Sequence, residues 1–142
     1  MHGEAAANRR LPEWHELSGA LLGGRGSDHP LTRLARTLAK LHSKRWPRCK
    51  HAVAAARRRA VIDAIDVWVA ANVGTSAKPA SALIDEMARA VGQARQLLAT
   101  TDPSSDVVHA AWTALAALAD QWSDLVLHVA VRYDQPTLVE AR

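Results

Sequence analysis

The sequence predicts an all-α fold, an antiparallel four-helix bundle with a short additional N-terminal helix. Three observations lead there. Alanine occurs 29 times in 142 residues, and alanine is the least costly residue to place in a helix. Apolar residues recur at spacings of three and four, the period of one helix face. Glycine and proline are scarce and fall between the apolar stretches, and with no Phe and one Tyr the strand-forming content is thin.

The elements follow in order. Pro12 opens a short helix, "PEWHELSGALLG", with Glu13 and Glu16 in the first turn, where the helix dipole favours them. "GGRG" ends it, since glycine takes the left-handed conformation of a C-terminal cap. Asp28 or His29, followed by Pro30, starts a second helix reaching about Arg45, with Leu31, Leu34, Leu38 and Leu41 along one face. Trp46-Pro47 breaks it, because proline disfavours helix in the residue before it. A third helix spans about Lys50 to Val73, with Val53, Arg57, Val61, Ile65 and Trp68 on one side. A fourth runs from near Pro79 to Thr100; its apolar stripe is Leu83, Met87, Val91, Ala94 and Leu98, and Asp85, Arg89, Gln93 and Gln96 form the opposite, polar face.

"TDPSSD" starts the last helix, with Asp102 as cap and Pro103 at the first position. That helix reaches Tyr133, with Val108, Trp112, Leu115, Ala119, Trp122, Val126 and Val129 in line. It spans roughly 45 Å, longer than its neighbours, so an overhang, a kink or fraying is expected near Arg132. Residues 11–134 read as one domain, between a flexible N-terminus, 1–10, and a flexible tail, 135–142. Four long helices on short connections fold most simply up-down-up-down, with the short helix capping or crossing them.

The formal charge is +4, unevenly spread. Ten basic residues and no acid lie between His29 and Ile62, leaving eight basic residues against fourteen acids, a net of −6, elsewhere. A basic segment on an acidic remainder orients toward anions more strongly than net charge implies. One cysteine, Cys49, allows no internal disulfide and fits a reducing compartment. "MHGEAAANRR" lacks a signal-peptide apolar run, and no stretch reaches the ~18 apolar residues of a membrane span, so a cytoplasmic protein is expected.

No catalytic, metal or cofactor signature stands out. The two-metal bundle pattern needs paired Glu-x-x-His segments; only "DVVH", Asp106 to His109, approaches it, and Asp124 and His128 read as a surface pair. Cys49 sits among Arg48, Lys50 and His51 at a helix start, where a thiol's pKa is lowered, yet no partner motif accompanies it. In "EWHE", His15 and Glu16 flank the buried stripe of Trp14, Leu17 and Leu21. Trp68, Trp112 and Trp122 lie on apolar stripes and read as core, whereas Trp46 sits at a hairpin tip inside the basic segment.

Helices two and three are expected as antiparallel neighbours about Pro47. Arg33 and Arg36 then stand level with Asp63 and Asp66, and Arg59 lies four residues before Asp63, so acids account for these three. Lys40, Lys44, Arg45, Arg48, Lys50 and Arg58 have no acid nearby in sequence and gather at the hairpin end, with Trp46 as the contacting aromatic. The competing expectation is that Glu13, Glu16, Asp85 or Glu86 folds over this patch. Apolar residues nearly encircle "AVIDAIDVWVAANV", and Ala117, Leu127 and Val131 fall opposite the last helix's core stripe, which predicts a two-fold homodimer.

The segments "WHEL", "HPLTRLARTLAKLH", "RRRAVIDAIDVWVAANV" and "HAAWTALAALADQWSDLV" resemble an uncharacterised actinobacterial helical family, a domain of unknown function, over residues 11–132. The resemblance implies an all-helical fold and carries no active site. It also implies an accessory role in an envelope-polysaccharide pathway, and an accessory protein or enzyme binding a small anionic precursor there is one alternative. The residues themselves favour a non-enzymatic helical module that contacts nucleic acid or an acidic protein through the basic hairpin end. A structural subunit acting through apolar helix faces is the remaining alternative.

Overall fold

A computed structural model describes residues 10–24 and 28–133. The described residues form five α-helices and no strand: α1 (Trp14–Leu21), α2 (Pro30–Ser43), α3 (His51–Asn72), α4 (Ala80–Thr100) and α5 (Asp106–Tyr133). The flexibility expected for 1–9 and 135–142, and the part of "GGRG" at Arg25 and Gly26, lie outside the described residues.

Local causes set the boundaries, and some differ from expectation. α1 begins at Trp14, not Pro12. The Pro12 carbonyl accepts the indole N–H of fully buried Trp122 at 2.9 Å. Leu11 is buried beside it, so the entry strand is held extended, with Glu13 at ψ 162°. The helix ends as the glycines predict: Gly23 takes φ +82°, Gly24 N–H donates to Gly19 O at 2.8 Å and Gly23 N–H to Ala20 O at 3.2 Å. Those are the paired bonds of a Schellman termination.

His29 is the N-cap of α2. Its Nδ1 accepts the Leu31 N–H at 3.0 Å, and Nε2 faces the Arg10 carbonyl at 2.5 Å, so the neutral ring carries its hydrogen on Nε2. The buried ring meets Trp68 edge-on at 4.9 Å. α2 stops at Ser43, two residues early, because Lys44 is extended (ψ 141°). The Trp46 indole N–H reaches back to the Leu41 carbonyl at 3.0 Å, satisfying an acceptor that the ended helix leaves open. At α5, Asp102 does not cap: its Oδ1 accepts from Ser104 N–H at 3.0 Å in a local turn. The Ser105 hydroxyl accepts the Val108 N–H at 3.4 Å instead, and the helix starts at Asp106. α5 then continues unbroken to Tyr133, about 42 Å.

α4 is the central helix. It packs most extensively on α5 and α2 and also touches α3 and α1, while α2 lies against α1, α3 and α4. Ala80, Ile84, Met87, Ala88, Val91 and Ala94 are buried along it. The small residues let neighbours approach: a Cβ on Gly92 would stand 3.3 Å from the His42 carbonyl of α2. Three details of the expected stripes are corrected. On α3, Val53 and Arg57 are exposed, and Ala54 and Arg58, each one residue further on, turn inward, while Val61, Ile65 and Trp68 lie on the core as expected. Ile84 is fully buried where Leu83 is only half-buried, and Leu98 is exposed. Trp112 lies at the edge of the α5 stripe and is exposed, unlike Trp122. No described helix is long and apolar enough to cross a membrane.

Burial holds the His29 pKa below its ordinary value, the Arg10 hydrogen bond opposing part of that effect. A depressed histidine stays neutral in the folded chain while the unfolded chain takes up a proton. Stability therefore falls as pH drops below about 6.5, with a slope of at most about 1.4 kcal/mol per pH unit from this group. His29→Asn should flatten the decline between pH 7 and 5 in chemical denaturation; an unchanged decline would show that His29 does not titrate with folding.

Candidate functional site

The hairpin between α2 and α3 is built by Trp46. Its indole ties the connection to α2, and the Lys44 ammonium sits 5.8 Å from its ring centroid, a cation–π distance. The Trp46 carbonyl meets His51 Nε2 at 2.9 Å, and a 3₁₀ turn, Arg48–Lys50, leads into α3. This geometry leaves Lys44, Arg45, Arg48 and Lys50 exposed within seven residues of chain. None of them takes part in an ion pair among the described residues. Cys49 is a free, exposed thiol among them. Trp46 is half-buried with its N–H engaged, so only its ring remains for a partner.

Arg58 does not belong to this surface. Its Nε donates to Asp85 Oδ1 at 3.0 Å and its Nη2 to Oδ2 at 2.6 Å, a two-pronged pair. His42 Nε2 reaches the same Oδ1 at 2.9 Å, and Arg89 Nη2 stands 3.8 Å from Oδ2. Asp85 is 6% exposed, which corrects its expected place on the outer face of α4. Of the acids weighed as covers for the basic patch, Asp85 takes this role, and it neutralises Arg58 alone. A lone buried carboxylate is costly; here it is paired and hydrogen-bonded from α2, α3 and α4 together. Burial pushes the Asp85 pKa up, but the hydrogen bonds from Arg58 and His42 outweigh it, and the carboxyl titrates below its ordinary range. The same bond raises Arg58.

Lys40 is exposed one turn back along α2 and faces elsewhere. It lines a crevice of about 60 Å³ between α1, α2 and α4, with Arg36 and Arg95. Arg36 Nη2 donates to the Gly24 carbonyl at 3.3 Å, and Arg95 Nη2 donates to the Leu22 carbonyl. The expected pairing of Arg33, Arg36 and Arg59 with Asp63 and Asp66 is not found: no ion pair among the described residues includes these arginines. Their aspartates are exposed on α3, while Arg36 turns to the end of α1.

The other motifs occupy the surface. His15 pairs with Glu13 at 3.4 Å, both exposed, and Asp106, His109, Asp124 and His128 are exposed. No group of three or more His, Cys, Asp or Glu side chains is placed to hold a metal ion among the described residues. An open apolar hollow of about 460 Å³ lies between α1 and α5, walled by Trp14, Val126, Leu127 and Ala130.

Sequence reasoning missed His42, Arg95 and the inward role of Asp85. Only Gly92 offered a cue, since a glycine inside a helix marks close backbone approach, and it sits where α2 meets α4. No family model, curated protein or solved structure matches the chain, and the resemblance drawn from its helix motifs gains no support from these comparisons.

Because Asp85 titrates low in the folded chain, it contributes stability above pH ~4 that is lost as pH falls through its folded value. Asp85→Asn should lower stability at pH 7 by about 2 kcal/mol and make the acid limb, between pH ~5 and ~2, shallower. Parallel acid limbs in the two proteins would contradict this assignment.

Proposed function

We propose that the chain is a non-enzymatic helical module, a four-helix bundle with a short extra helix, that binds an acidic partner through the α2–α3 hairpin end. Nucleic acid is the partner chemistry favoured here. One observation carries the reading: Lys44, Arg45, Arg48 and Lys50 are exposed on one short connection, and no ion pair with a described carboxylate quenches them. Lys40, one turn back on α2, lines the crevice with Arg36 and Arg95 and stands outside this set. Exposed charges in water attract weakly one at a time, so a useful affinity needs several phosphates engaged at once, with counterion release. Trp46 offers a ring face beside Lys44 for stacking. Arg58 contributes through Asp85, by fixing α3 under the connection.

The test is a titration of a labelled single-stranded oligonucleotide at several salt concentrations. Binding should weaken steeply with salt. Arg48→Gln with Lys50→Gln should lower the log–log salt slope by about 1.4, two phosphate contacts' worth. Lys78→Gln, an exposed residue in the connection at the far end of α3, should leave it unchanged. No binding at low salt removes the reading.

A second reading rests on the outer faces of α3 and α5. Val67 is 69% exposed and Leu127 65%, with Val107 and Val131 also open. Apolar helix faces of this kind favour a self-complementary contact with a second copy. Light scattering should then report twice the chain mass, reverting to the single-chain mass in Leu127→Glu. A monomer at working concentration rejects the dimer.

A further inference from the structure

We infer that the crevice between α1, α2 and α4 is a site for one tetrahedral oxyanion, a phosphate group, held by Arg36, Lys40 and Arg95. It is separate from the hairpin connection and does not depend on it.

The crevice is small and closed on its apolar side. About 60 Å³ is room for a few waters or a single oxyanion, too little for a base or a sugar. Its apolar lining includes Leu21, Ala39 and Val91, with Gly92 of α4 and the Gly23 turn beside them. No carboxylate lines it among the described residues. The two guanidiniums are already positioned, because each donates one N–H to a carbonyl at the end of α1, Arg36 to Gly24 and Arg95 to Leu22. A guanidinium has five N–H donors, so each keeps donors beyond the one bond it makes to α1. The Arg95 guanidinium lies beside the Gly23 turn, 3.9 Å from where a Cβ would stand.

Neutralising the helix end does not exhaust this charge. A helix C-terminus carries about −0.5, and α1 and α2 both end beside the crevice, at Leu21 and Ser43. Together they offset about one positive charge of the three, leaving about two in excess. Ser43 does not add a donor, since its hydroxyl donates to the Lys40 carbonyl at 3.0 Å. The ligand is therefore recognised by charge and by guanidinium N–H groups. A dianionic phosphate, with oxygens on several sides, matches three cations better than a carboxylate does.

The test follows amide and arginine side-chain resonances of the full chain as inorganic phosphate replaces chloride at constant ionic strength. Saturable shifts at Gly23, Gly92, Arg36 and Arg95 are expected. Lys40→Gln should weaken that binding about fivefold; it leaves the α1 end bonds intact, whereas Arg36 and Arg95 variants endanger the fold. Arg48→Gln, on the hairpin, should leave phosphate binding unchanged even while it weakens oligonucleotide binding, so the two readings fail separately. An oligonucleotide that moves the same crevice signals assigns the phosphate to a polymer; inorganic phosphate acting alone assigns it to a small ligand, and both uphold the site. Shifts that never saturate, that chloride reproduces, or that Arg48→Gln and Lys40→Gln weaken equally would overturn it.

Discussion

The Asp85 carboxylate is the contact on which the arrangement of the charged helices depends. A side chain on the central helix accepts hydrogen bonds from Arg58 of α3 and His42 of α2. The apolar interfaces of α2, α3 and α4 mix alanines with Leu31, Leu38, Ile65, Ile84 and Met87, and apolar burial is non-directional. A bidentate arginine pair is directional, because its two bonds require one orientation. The same pair explains why α3 turns Arg58 inward and leaves Val53 in water, against the apolar order of its own sequence.

The basic side chains around that contact take three roles. Arg58 is neutralised inside the α2–α3–α4 junction. Arg36 and Arg95 hold the end of α1, where carbonyls lack helical partners. Lys44, Arg45, Arg48 and Lys50 stay on the surface, and Lys40 stands between the two outer groups. Charge in this protein is thus divided by what each side chain can reach across the fold.

Helices were legible in the sequence because their signals are local. His29-Pro30 and the paired glycines after Leu22 specify their caps through backbone chemistry alone, and the Leu31 and Leu38 spacing needs no tertiary knowledge. The starts of α1 and α5 were misplaced by tertiary or side-chain competition: Trp122 takes the Pro12 carbonyl, and Ser105 caps in place of Asp102. The site was harder to read. Four of the basic residues follow from their crowding on one short connection, but Arg58 looked free because its acid lies 27 residues away in sequence. An aspartate opposite an apolar stripe reads as solvated unless two other helices are known to bring it donors. The Arg36–Lys40–Arg95 crevice draws on two helices and the end of a third, so no single segment carries its pattern.

The central claim is that Asp85 and Arg58 act as one unit rather than as two surface charges. A double-mutant cycle with Arg58→Met and Asp85→Leu at pH 7 measures it directly. The account predicts that the double variant is destabilised by less than the sum of the single variants, with a coupling above about 1 kcal/mol. Additivity within about 0.3 kcal/mol would mean that the pair organises nothing, and that packing alone orients α3 on α4.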